Sequence, residues 1–262
     1  MIKRAKPSQT QLIFSSPGFL SPDFAKEKQV FNGKSYKNGA DRRWDETNAV
    51  KIEAGPVGLH GILNIPTYPT GLVVFIDGTT ENGLPSNRRT ASHMHAAGLA
   101  TMLFNLLTRE EEERDGLISH LRSDVGLVAR RAIGTLDWLG RQPVVGELNI
   151  GFFGTGSGTA AALIAAIERP ENTGAVVLRG GQPDFINSAL PRVKVPVLLL
   201  IAEHDPQAGH FSPQAVPQMD GSIPKEICVV RGATNRFTEP GVPEIVTQAA
   251  RDWFQAHLLK SP

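Results

Sequence analysis

Six short apolar runs, separated by segments long enough for a helical return, fix most of what this chain can fold into. They are "GLVVFID" (71–77), "ATMLFNLL" (100–107), "ELNIGFF" (147–153), "GAVVLRG" (174–180), "VPVLLLIAEHD" (195–205) and "EICVVRG" (226–232). Runs that are continuously apolar rather than alternating belong to strands buried on both faces, and such strands are parallel neighbours joined by crossovers. The segments between them have the required texture. "NRRTASHMHAAG" (87–98) reads as a helix closed by Gly98, residues 158–169 as a second, and 242–258 as a last one with Val246, Ala250, Trp253 and Phe254 on its apolar stripe. Between roughly 117 and 140, Leu121, Val125, Val128, Ile133, Leu136 and Leu139 keep near-helical spacing, while the acidic run "REEEERDG" before them reads as a solvated loop or helix start. Ahead of the apolar runs, "AVKIEA" and "VGLHGILNIP" flank Gly55-Pro56 as an antiparallel hairpin. The expectation is an α/β fold: a doubly wound, mostly parallel sheet with an N-terminal antiparallel hairpin at one edge.

Residues 1–45 differ in kind, being polar, punctuated by Pro, Gly, Ser, Asn and Lys, and without periodicity. They read as an arm, leaving 46–262 as one domain. With 27 basic and 26 acidic side chains the formal net charge is +1, which gives no electrostatic case for nucleic acid or an anionic membrane surface. No apolar run approaches the roughly 18 residues needed to cross a bilayer, and the first residues lack a signal peptide's apolar core. The single cysteine, Cys228 in "EICVV", reads as a buried, inert thiol and excludes an internal disulfide. These features point to a cytoplasmic protein without metal or cofactor. Surfaces for protein partners are not legible at this level.

In a sheet of this kind ligands collect where the strands deliver their carboxyl ends. The loop that stands out there is in "GFFGTGSGTAAAL" (151–163), a strand running through a glycine-rich turn into an alanine-rich helix. Small residues at Gly154 and Gly158 supply the frame of a nucleophile elbow, G-x-S-x-G, whose turn is too tight for larger neighbours. At the apex, however, stands Gly156. The elbow apex normally holds a strained positive φ at a cost of about 1–3 kcal/mol, which glycine avoids.

Together with "FIDGTTENGLPSNR", "RGGQPD", "PVLLLIAEHD" and "VVRGATNRFTEPG", this loop resembles the dienelactone hydrolase-like branch of the α/β-hydrolase fold over residues 48–258. The resemblance implies a Ser at the elbow, an Asp after the penultimate core strand and a His after the last one. Matched by position, the acid is Asp205, the nucleophile position holds Gly156, and the base position holds Asn235, in "GATN" where the family has "GATH". The His-Gly expected in the oxyanion loop is Asp77-Gly78 here. Glycine supplies no nucleophile and an amide does not titrate near neutrality. Loss of either Ser or His from such a triad costs about a million-fold in rate, so ordinary ester hydrolysis is not expected.

Three other readings of the same loops stay open. Ser157 could act as a nucleophile shifted by one residue, with His204 or His210 as base. Asp77 and Asp205 could divide acid and base roles in a partly dry cleft. Gly156, Gly158 and Ala161 also satisfy the dinucleotide pattern G-x-G-x-x-A, with Arg179 at the following strand's end as a partner for a 2′-phosphate. Short of catalysis, the helix N-terminus at Gly158, with Gly78, Thr79, Thr155, Ser157 and Arg179 around it, forms a candidate site for an anionic small molecule. His93 and His95 point to different helix faces and are not read as a metal pair.

Overall fold

The computed structural model describes residues 48–77, 85–118, 120–207, 210 and 219–259. The polar segment 1–45, Gly78 and Thr79 lie outside the described residues. β1 (Ala49–Ala54) and β2 (Val57–Asn64) form the hairpin around Gly55-Pro56, paired in antiparallel register from Ala49↔Ile62 to Ala54↔Val57. The core strands follow as β3 (Leu72–Asp77), β4 (Ala100–Phe104), β5 (Ile150–Thr155), β6 (Thr173–Arg179), β7 (Val197–Ala202) and β8 (Lys225–Val230). Their order in the sheet is β1-β2-β4-β3-β5-β6-β7-β8, with every pair from β4 to β8 parallel.

The apolar runs become strands because they have a helix layer on each side. On one face α3 (Val125–Leu139), α4 (Gly158–Glu168) and α5 (Pro183–Ala189) cover Val74, Ile76, Phe152, Val176, Leu178 and Leu199. On the other, α1 (Pro85–Ala96) and α6 (Val242–Leu258) cover Val73, Phe75, Phe153, Val177, Leu198 and Leu200. Alternate residues of each strand thus serve opposite cores, as the pleat requires. α6 spans the residues that its stripe of Val246, Ala250, Trp253 and Phe254 indicated, all buried. Among the described residues no helix is long and apolar enough to cross a membrane.

Two segments differ from expectation. The acidic run forms α2 (Arg109–Ile118), capped reciprocally: the Thr108 backbone N–H donates to Glu111 Oε2 at 2.9 Å and the Glu111 N–H to Thr108 Oγ1 at 3.3 Å. The long amphipathic segment is broken after a single 3₁₀ turn at Leu121–Ser123, because Asp124 is extended and its carboxylate accepts the Leu127 N–H at 2.9 Å, starting α3 afresh.

From β3 the chain first returns to place β4 on the β2 side and then crosses to lay down β5 to β8 on the other side of β3. The crevice at the β3/β5 boundary, above the carboxyl ends, is therefore the place this topology offers a ligand.

Candidate functional site

The glycine-rich turn joins β5 to α4 at that boundary. Gly156 has φ +58° and is exposed, while Ser157 is right-handed at φ −66°, ψ −20°. The apex is thus residue 156. The flanking glycines are required by space: a Cβ on Gly154 would stand 2.9 Å from the Gly158 carbonyl oxygen, and one on Gly158 only 2.1 Å from that of Ile76 in β3. The turn is consequently pressed against both its own helix and the neighbouring strand. Close packing of Gly158 is common to an elbow and a dinucleotide loop, so it does not choose between those frames.

The hydroxyls in the turn are directed away from capping duty. Ser157 Oγ donates to the Arg122 carbonyl at 2.8 Å, and Thr159 Oγ1 donates to the Gly156 carbonyl at 2.7 Å. Ser157 therefore fastens the turn to the segment between α2 and α3, and the two histidines raised as possible bases, His204 and His210, are both exposed. The Arg122 side chain lies 3.9 Å from Glu112 and 3.7 Å from Asp115 in α2.

The acid and base loops meet the turn because they are laced together. The Glu203 N–H donates to Val230 O at 3.1 Å, the His204 N–H to Ala233 O at 2.9 Å, and the Gly232 N–H to Glu203 Oε2 at 2.8 Å. Asp205, half-buried, and Asn235, exposed, consequently border one cavity of about 450 Å³ with Gly156 and Ser157. The three positions matched to the triad come together in space. Arg179, Gln182 and Gln207 complete the polar part of its wall. The Asp205 carboxylate accepts the Gln207 N–H at 2.9 Å.

Arg179 is the most constrained of these groups. It ends β6, is 7% exposed, and its guanidinium carbon lies 5.9 Å from the Phe153 ring centroid and 5.8 Å from that of Phe237. Burial pushes the guanidinium below its ordinary pKa, and the Asp77 carboxylate acts in the opposite direction. Phe237 adopts φ +53°, unusual for a bulky residue, and its loop is braced by a hydrogen bond between Thr234 Oγ1 and Glu239 Oε1.

Thr155, Gly158 and Asp77 do not line the cavity, although sequence reasoning grouped them with its ligand contacts or its chemistry. The register explains why. Asp77, Thr155 and Arg179 are side-by-side partners at the ends of β3, β5 and β6, directed to the α1/α6 core, and of the three only Arg179 borders the cavity. Asp77 is buried and accepts a hydrogen bond at 2.8 Å from Nδ2 of Asn87, which is itself fully buried in α1. Thr155 Oγ1 and Asn87 Oδ1 are buried with no hydrogen-bond partner among the described residues. Asn87, Phe153 and Phe237 were not read from the sequence as parts of this site. The "NRR" tract (87–89) reads first as a solvated helix start and second as a ligand contact near the cleft, and nothing local ties two phenylalanines to Arg179. The Cys228 thiol is pushed up by burial, then by Glu226, as an inert group would be. Among the described residues no group of three or more His, Cys, Asp or Glu is arranged to hold a metal.

Comparison with known proteins agrees with this architecture. The profile of the dienelactone hydrolase family matches residues 59–258. A crystal structure of dienelactone hydrolase from Anabaena variabilis ATCC 29413 is 43% identical, superposes with a TM-score of 0.76, and covers 80% of this chain and 97% of that one. Est1E from Butyrivibrio proteoclasticus, 14% identical with a TM-score of 0.62 over 81% of this chain and 100% of its own, shares the fold. Two Mycobacterium tuberculosis proteins, from strains CDC 1551 and H37Rv, are provisionally named phosphoribosyl transferases and are 39% identical over 210 residues, 80% of this chain. The match spans 46% of their length, about half of each. With the family profile spanning residues 59–258 and the sheet order in agreement, the chain belongs to the dienelactone hydrolase family.

Proposed function

We propose that this protein is a dienelactone hydrolase-like binding or regulatory protein whose catalytic triad is degenerate. The observation that carries this reading is Gly156, which stands at the apex of a properly formed elbow, at the positive φ a nucleophile would occupy, with no side chain. Asn235, in the base position on the same cavity, has no proton to exchange near neutral pH. Asp205 keeps the acid's place with nothing to orient. The cavity then serves as a small-molecule site, and the buried Arg179 in its wall suits a ligand with an anionic group.

The test is hydrolysis of an activated aryl ester by the purified protein alongside Gly156→Ser and Gly156→Ser/Asn235→His variants. The parent is expected to be inert and the double variant to gain turnover. Turnover by the parent that Ser157→Ala abolishes would overturn the reading. The name borne by the mycobacterial relatives adds one probe, a ribose phosphate, whose saturable binding would place that chemistry in the half these chains share.

A further inference from the structure

We propose that the cavity selects small zwitterions, with the ligand's carboxylate held by Arg179 and its ammonium group by Asp205. This deepens the binding function proposed above and rests on it. Among the described residues, Arg179 and Asp205 are the charged members of the cavity wall; Arg179 ends β6, and Asp205 lies in the loop after its sheet neighbour β7. Their opposite charges define a ligand with two poles.

The guanidinium is fixed in direction between the Phe153 and Phe237 rings, which prepares it to meet a planar carboxylate with little further loss of freedom. Its charge is not available in full to a free anion. Asp77 sits two strands away in the same row and already favours the guanidinium electrostatically from behind the wall. Asp205 borders the same cavity, so a ligand carrying only negative charge meets a carboxylate in the wall together with a guanidinium that already interacts with Asp77. An ammonium group near Asp205 reverses that penalty and gives the Asp205 carboxylate a partner beyond the Gln207 N–H. The amides of Gln182, Gln207 and Asn235 can donate or accept, so they serve either pole. A cavity of about 450 Å³ is of the size that holds a metabolite rather than a chain segment.

The experiment is calorimetric titration of the full chain with three matched series. One runs from glycine to 6-aminohexanoate, one from acetate to hexanoate, and one covers the corresponding alkylammonium salts, with inorganic phosphate added as a plain anion. One length of amino acid is expected to bind at least about tenfold more tightly than both of its single-charge analogues, a gap of about 1.4 kcal/mol. Asp205→Asn, at a half-buried loop position, should reduce that ligand to the affinity of the plain carboxylate. Arg179→Gln should reduce it to that of the alkylammonium. Arg179 is buried, so its variant also perturbs the core, and the Asp205→Asn result is decisive alone. Carboxylates or phosphate that bind as tightly as the amino acids, or an amino acid whose affinity Asp205→Asn leaves unchanged, overturn the zwitterion proposal while the binding function stands. Failure of every probe to bind overturns it too, and the ester assay then decides the broader reading independently.

Discussion

Gly158→Ala isolates the closest contact in the elbow. The added Cβ would lie 2.1 Å from the Ile76 carbonyl oxygen and 2.7 Å from its carbon, both backbone atoms of a central strand. To reach an ordinary contact of roughly 3.4 Å, the start of α4 must retreat by more than about 1 Å. That retreat cannot stay local, since Ala160, Ala161, Ala162, Leu163, Ala165 and Ala166 pack the same helix into the sheet. Overpacking alone costs typically 1–3 kcal/mol, so with the separation of this face we expect about 3 kcal/mol or more, a Tm lower by roughly 6–12 °C. Gly156→Ala is the control. Its φ of +58° imposes the left-handed penalty of about 1–2 kcal/mol, or roughly 2–8 °C. Thermal unfolding followed by circular dichroism compares the two. A Gly158→Ala protein at least as stable as Gly156→Ala would refute the packing argument. The same geometry means that substitution of Gly158 is no clean probe of ligand binding, because it acts on the fold first.

Other outcomes follow from single contacts. Asn87→Ala removes the amide donor of the buried Asp77 carboxylate and should cost about 1–3 kcal/mol, read as a lower denaturation midpoint at unchanged m-value. Burial lowers the pKa of His257, so the unfolded chain binds more protons between the two values. Tm should therefore be highest above the unfolded histidine value of about 6.5 and fall as pH drops through the folded value, and His257→Gln should flatten that slope. Ser157→Ala removes one hydrogen bond to the Arg122 carbonyl and should cost about 1 kcal/mol in a stability assay.

The sheet was legible because its central strands are short, largely apolar and spaced by helical returns. The apex at Gly156 was legible because a turn pressed between a strand and a helix dictates where the small residues go. The α2 start carried a readable signal as well, since Thr108-x-x-Glu111 is a capping box. Helix α5 was not read: seven residues beginning at Pro183 are too few for a periodic pattern. Nor could the chain order show that Asp77 turns to the core with Asn87, or that Phe153 and Phe237 enclose Arg179. Those contacts depend on register and on loops brought from distant parts of the chain, which local composition does not encode.

The fastening of Ser157 to the Arg122 carbonyl carries a consequence for solvent conditions. The Arg122 side chain faces Glu112 and Asp115 at the longer separations of 3.9 and 3.7 Å and is itself a quarter exposed, so these attractions weaken as mobile ions accumulate around them. Whatever steadies Arg122 steadies the hydroxyl that its carbonyl holds. The rim of a cavity whose turn contains no ionisable side chain thereby acquires a sensitivity to ionic strength, delivered through the backbone of a neighbouring segment.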